Sequence, residues 1–226
     1  MASSRPDTPI FQRVAIPQNP RLRSEAILET ARDLAVARDV RSVSMTSIAR
    51  AAGISRATLL RFFASREQIF LVLASWAWRE WAEAIGQTLP AVSTDSRQLA
   101  VALTESLAER PLFCDLLAQA TLNLEHNVSL EPLQEYRLQK LAASAAAGGA
   151  VGAALTRLGL FVSPDTGQEL VDMITAQAAM IWQISHPPQR LVELYAQDVQ
   201  LVPSAIEFVP SMVRFISLLV MGLGGD

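Results

Sequence analysis

The side chains able to do chemistry are few and spread thinly. The chain has one cysteine, Cys114, and two histidines, His126 and His186. They lie far apart in sequence, so a closed zinc site of His and Cys ligands is not expected. A nucleophile elbow, a lysine-bearing phosphate loop and a glycine-rich dinucleotide loop are all missing from the sequence. Asp and Glu scatter along helical stretches as solvated faces do, so no catalytic residue, metal or cofactor is assigned. A different chemistry, recognition of a polyanion, concentrates in residues 44–63, SMTSIARAAGISRATLLRFF. Arg56, Thr58 and Arg61 follow Ser55 there. An arginine can grip guanine O6 and N7 with two hydrogen bonds. Ser, Thr and the N–H groups of a helix start suit phosphate oxygens.

These residues need helices to position them. Ser44 can cap a helix over Met45–Ala52, and Gly53 stands where a left-handed residue closes it. Ser55 can cap a second helix over Arg56–Phe63. Two short helices around the tight turn Ala52-Gly53-Ile54-Ser55 have helix-turn-helix spacing. A preceding helix over Ser24–Arg38 carries one apolar stripe, Ile27, Leu28, Ala31, Leu34 and Ala35, against which Ile48, Ala49, Leu59 and Phe63 would pack. The outer face of the second helix then meets a DNA major groove. A fourth helix, capped by Ser65 with Glu67 in its first turn, runs to about Gln87 before Pro90.

Charge supports this placement. The net −3 divides unevenly: residues 1–70 hold eleven Arg against six Asp or Glu, while residues 71–226 hold eight basic against sixteen acidic residues. A basic third on an acidic remainder points to a polyanionic partner for the N-terminal part. Half of the 226 residues are hydrophobic and 18% are charged, which excludes wholesale disorder. The lone cysteine excludes a disulfide scaffold and fits a reducing compartment, so a cytoplasmic location is expected. No signal peptide is read at the N-terminus. No membrane partner is expected either: residues 142–156 are too short for a span, and Arg214 interrupts 208–224.

Beyond Pro20 the pattern is helical throughout, with no convincing period-two stretch, so the fold class is all-α. Residues 1–20 read as a flexible arm carrying Arg5 and Arg13, residues 21–65 as the helix-turn-helix domain, and residues 66–226 as a larger helical domain. Further helices are placed near 96–109, 111–122, 131–157, 164–185 and 205–222, with room for a short one within 186–204.

Residues 21–70 resemble the DNA-binding domain of the TetR family of transcriptional regulators. The phrases carrying the resemblance are AILETARDLA, SMTSIARAAGIS and ATLLRFFASREQIF, in order and at the right spacing. RPLFCDLLAQATLNLEHNVSLEPL, at 110–133, is similar to a TetR-type C-terminal domain. The resemblance implies a homodimer reading the two half-sites of an inverted repeat in double-stranded DNA. It also implies a C-terminal domain that binds a small molecule and dimerises through its last two long helices. By position, Ser44, Thr46, Arg56, Thr58, Leu60, Arg61, Phe62 and Arg66 fall where the family contacts DNA. Leu60 stands where the family usually has a phosphate-binding tyrosine, which leaves it a packing role. Phe62 replaces a common His or Tyr. Asp39 sits near a usual glycine, where Asp tolerates a left-handed turn. The implied function is a ligand-responsive regulator, a repressor released by a small hydrophobic effector. The alternative is a helical binding or interaction protein of the same fold without transcriptional activity.

In the larger domain, Trp78, Trp81, Phe113, Cys114, His126, Tyr136, Met173 and Trp182 are the candidate pocket residues, with ordinary core as the other reading. The segment 145–152, AAAGGAVG, allows close helix approach, room for a ligand, or a break. Two apolar stripes, one with Val171, Ile174 and Ala178 and the other with Val213, Ile216 and Val220, suggest a dimer interface; internal core is the alternative.

Overall fold

The computed structural model describes residues 19–91, 95–160, 163–201 and 206–223; Arg5 and Arg13 of the expected arm lie outside them. The fold is all-α, with ten α-helices and no strand among the described residues. They are α1 (Pro20–Ala37), α2 (Met45–Ala51), α3 (Arg56–Leu60), α4 (Arg66–Thr88), α5 (Ser96–Ala108), α6 (Pro111–Gln119), α7 (Leu130–Arg157), α8 (Thr166–Ser185), α9 (Gln189–Gln197) and α10 (Phe208–Gly222).

Helix α1 starts four residues before its expected N-terminus. The Asn19 side chain accepts the Arg21 N–H at 3.0 Å, and Pro20 at the first position needs no N–H partner. Pro20 therefore belongs to a helix and not to the arm. Helix α2 ends in a Schellman motif: Gly53, at φ 68°, donates to Arg50 O at 3.2 Å, and Ile54 donates to Ala49 O at 3.0 Å. Among the described residues no non-glycine has positive φ, so Asp39 does not adopt the left-handed turn expected of it. Its carboxylate instead accepts the Ser42 N–H at 2.6 Å and closes a local turn. Helix α6 stops at Gln119 and opens into one wide turn over Ala120–Leu124.

Ile27, Ala31, Ile48 and Leu59 are fully buried and bind α1, α2 and α3 into one unit. Helix α4 leaves that unit and packs along α7; α7 lies against α8, α6 packs on α8, and α10 packs on α5 and α8. Between α4 and α6 sits an aromatic knot. Trp78 meets Trp81 and Phe113 edge-on, with ring centroids 5.8 and 5.2 Å apart. The buried Trp81 Nε1–H donates to Ser106 Oγ at 3.0 Å, which in turn donates to Leu103 O at 2.7 Å, so burial leaves no polar atom of this pair without a partner.

The glycine–alanine segment is continuous helix. A Cβ on Gly167 would lie 2.7 Å from the Gly152 backbone N, and one on Gly148 would lie 2.9 Å from the Gln168 Cα. The small residues let α7 and α8 approach backbone to backbone at this crossing, and the segment does not break the helix.

Candidate DNA-binding surface and effector cavity

The helix-turn-helix presents an outer surface with three exposed arginines, Arg50, Arg56 and Arg61, and residues 44–63 contain no carboxylate. Thr46 is exposed beside them and Thr58 is half-buried. Ser44 and Ser55 are engaged as caps. Ser44 Oγ accepts the Ser47 N–H at 3.1 Å while Ser47 Oγ accepts the Ser44 N–H at 2.9 Å, a reciprocal capping box. Ser55 Oγ accepts the Thr58 N–H at 3.0 Å. Their hydroxyls set the helix starts that aim the arginines outward.

Three residues depart from expectation. Leu60 does not pack: it is 46% exposed on the same surface as Arg61. Phe62 is half-buried against the core, with the Arg23 guanidinium 5.9 Å from its ring centroid. Arg66 turns inward. Its guanidinium donates to the Val43 and Val40 carbonyls and reaches Glu67 at 3.0 Å, and it lies 4.9 Å from the centre of the Phe70 ring. Three of its five N–H donors go to these groups, so Arg66 clamps the α1–α2 loop onto the start of α4, turned toward the protein instead of out beside Arg56 and Arg61.

A cavity of about 1160 Å³ opens between α6, α7 and α8. Trp78 and Tyr136 line it; the other six pocket candidates do not. Trp81 and Phe113 belong to the buried knot. Cys114 is sealed in the core, donating to Leu107 O at 3.4 Å. Burial, and then the charge of Asp115, pushes its thiol pKa up to about 12. His126 is exposed on a turn. Met173 is 50% exposed on another face of α8. Trp182 stacks on His186 at 3.7 Å and meets Phe208 of α10 edge-on at 5.2 Å. Tyr136 is buried at the cavity wall, and burial followed by the Glu125 charge raises its pKa.

The residues missed in the sequence form a stripe on α8 of four polar side chains, Gln168, Asp172, Thr175 and Gln183, with the small Ala179 among them; all line the cavity at three- and four-residue spacing. That run of small and polar residues on an otherwise apolar helix was the available signal. Helix α7 adds Arg137, Lys140, Ser144 and Gly148, and the α1–α2 loop adds Arg41. Gln168 Nε2 donates to Ser144 Oγ at 2.6 Å and to Asp172 Oδ1 at 3.1 Å. Among the described residues no cluster of three or more His, Cys, Asp or Glu side chains is placed to hold a metal ion.

The expected interface residues also need correction. Val171, Ile174, Ala178, Ile216 and Val220 are buried within the subunit, and Val213 is half-buried. They pack α8 and α10 onto their own core, because the broad stripes read from the sequence are the inward faces. The large apolar side chains left exposed on these helices are Met173, Met180 and Ile184 of α8 and Val209, Leu218 and Met221 of α10. No helix among the described residues is long and apolar enough to cross a membrane.

Comparison with known proteins bears on both halves. Residues 27–73 match the family model described as bacterial regulatory proteins, tetR family, and residues 75–225 match that of the tetracyclin repressor-like C-terminal domain. An uncharacterized HTH-type transcriptional regulator from Mycobacterium tuberculosis (strain CDC 1551 / Oshkosh) is 36% identical over 86 residues, 38% of this chain. The match spans 43% of that relative's length, less than half of it. Among solved structures, FadR from Bacillus subtilis in complex with stearoyl-CoA aligns with a TM-score of 0.53 at 12% identity, covering 89% of this chain and 98% of that one. PfmR from Thermus thermophilus aligns with a TM-score of 0.53 at 16% identity, covering 88% and 97%. The TetR family repressor AlkX from a Dietzia strain, implicated in biodegradation of n-alkanes, aligns with a TM-score of 0.50 at 17% identity, covering 91% and 97%. At these identities the structural likeness speaks for the fold, while the family matches cover most of the sequence: the chain belongs to the TetR family of bacterial regulatory proteins, DNA-binding transcription regulators rather than enzymes.

Proposed function

We propose that the protein is a homodimeric repressor that binds an inverted-repeat operator in the cytoplasm and leaves it when a small, largely hydrophobic effector enters the cavity. The observation that carries this reading is the pairing of two sites through α4. An arginine-bearing surface without carboxylates lies on one side, and a cavity of about 1160 Å³ walled mostly by apolar side chains lies on the other. Arg56 and Arg61 read bases, Arg50 and Thr46 hold phosphates, and Ser44 and Ser55 fix the helices that carry them. Two copies pair through the exposed faces of α8 and α10, where Ile184, Leu218 and Met221 are otherwise left in water. The two recognition helices then sit about one DNA turn apart, roughly 34–36 Å. An effector that prefers the other spacing by about 1–3 kcal/mol releases the operator. The neighbour holding stearoyl-CoA and the one tied to n-alkane degradation support an effector with an apolar chain.

Selection of fragments from the source genome by the purified protein, with salt titration of the winners, tests the proposal. An inverted repeat with a steep salt slope is expected. Arg61→Ala should then cost about 1–3 kcal/mol per half-site and relax preference at one position. A folded protein that enriches no fragment over random DNA would leave only a ligand-binding module.

A further inference from the structure

A line of hydrogen bonds joins the cavity to the helix-turn-helix. Gln183, on the cavity wall, donates through Nε2 to Asp115 Oδ1 at 2.9 Å. Asp115, on α6, is only 8% exposed, and its Oδ2 accepts the Val40 N–H of the α1–α2 loop at 2.7 Å. The Val40 carbonyl accepts from Arg66, which also donates to the carbonyl of Val43, the residue before the Ser44 cap of α2. Arg41, next to Val40, is exposed and lines the same cavity. The other two cations of the cavity are engaged: Arg137 pairs with Glu125 at 3.5 Å, and the Lys140 ammonium lies 5.7 Å from the centre of the Trp78 ring. Arg41 has no ion pair among the described residues.

We propose that the Arg41–Gln183 end of the cavity is a subsite for the carboxylate of a long-chain acid, and that seating the carboxylate there draws the Gln183 amide away from Asp115 and so reports occupancy to the helix-turn-helix. This rests on the ligand-responsive regulator reading. The guanidinium of Arg41 offers a carboxylate two parallel donors, and the Gln183 amide offers a third. The far end of the cavity repels an anion, because Asp165 and Asp172 lie there and Gln168 and Ser144 are already bonded to each other. Leu117, Leu141, Ala176, Ala179 and Met180 line the space for the alkyl chain. Asp115, left buried with one donor in place of two, is poorly satisfied. Its remaining partner is the Val40 N–H, so Asp115 regains a second donor only by turning toward water, and that turn carries with it the loop that Arg66 clamps to α2.

The test uses the full chain with dodecanoate and dodecan-1-ol as probes, below micelle formation, by isothermal titration calorimetry. The acid should bind about tenfold or more tighter than the alcohol, as one charge-assisted contact would give. Arg41→Gln should bring the acid down to the alcohol's affinity, and Arg41→Lys should restore most of the gap. Operator affinity, read by fluorescence anisotropy, should shift with dodecanoate in the wild type and stay flat in Gln183→Leu, whose fold is checked by circular dichroism. Equal binding of acid and alcohol, no binding of either, an acid preference that survives Arg41→Gln, or a Gln183→Leu protein that responds like wild type would each overturn the proposal. Failure of the regulator reading looks different: no operator is found, yet acid preference still depends on Arg41.

Discussion

Substitution of Gly167 by alanine probes the α7–α8 crossing that shapes one wall of the cavity. The added Cβ would stand 2.7 Å from the Gly152 N and closer still to the Gly148 carbonyl oxygen, where ordinary contact begins at 3.4 Å. The start of α8 must therefore retreat by at least about 0.7 Å. Both obstacles are α7 backbone, so no rotamer change relieves them. Overpacking of this kind costs about 1–3 kcal/mol, and the gain in helix propensity returns at most about 1 kcal/mol. A net loss of about 1–2 kcal/mol lowers Tm by roughly 2–8 °C for a chain of this length. Gly86→Ala is the matched control: it lies within α4, and a Cβ there meets nothing within 4 Å. It should gain up to about 1 kcal/mol. Thermal unfolding of both variants, followed by far-UV circular dichroism at one protein concentration, gives opposite signs on this reasoning. If Gly167→Ala is as stable as wild type, or moves upward with Gly86→Ala, close approach does not hold α7 against α8.

Arg66→Met should destabilise by about 1–3 kcal/mol for each buried carbonyl left unpaired at Val40 and Val43, and should weaken all operators equally; urea unfolding and a panel of operator variants check both. A loss confined to one base position would instead return Arg66 to the DNA surface. Trp81→Ala should cost about 3–5 kcal/mol by opening the aromatic knot and removing the bond to Ser106, measurable by the same unfolding curves. The Cys114 thiol, ordinarily near 9.0 and here raised to about 12, stays protonated and sealed at pH 8. A thiol reagent should modify it only at the rate of unfolding, and a fast reaction in the native protein would contradict its burial. Because the folded pKa is raised, the thiol's contribution to stability is complete below pH 9.0 and is lost as pH climbs from there toward 12.

Local rules made the N-terminal unit legible. Ser44, Ser55 and Ser65 each bond a backbone N–H three residues on, and Gly53 has the positive φ that its place after α2 demands, because caps and turns are set by residues within one turn of chain. The all-α pattern was equally readable, since the 3.6-residue period survives in every long helix. What the period cannot say is which apolar face meets which neighbour. Val171, Ile174 and Ala178 form a good stripe for a partner subunit or for a private core, and only the packing of α8 on α6 and α7 turned them inward. The same holds for the cavity. Trp81, Phe113 and Cys114 have the chemistry of pocket residues, yet α4 and α6 close over them, while the small polar stripe of α8 faces open space. Arg66 shows the limit most sharply. Its position matched one where the family contacts DNA, but carbonyls of Val40 and Val43, more than twenty residues back in the chain, fold within its reach. Periodicity and caps are determined by neighbours in sequence; the fate of a buried face or a long cation is decided by partners that only tertiary folding brings near.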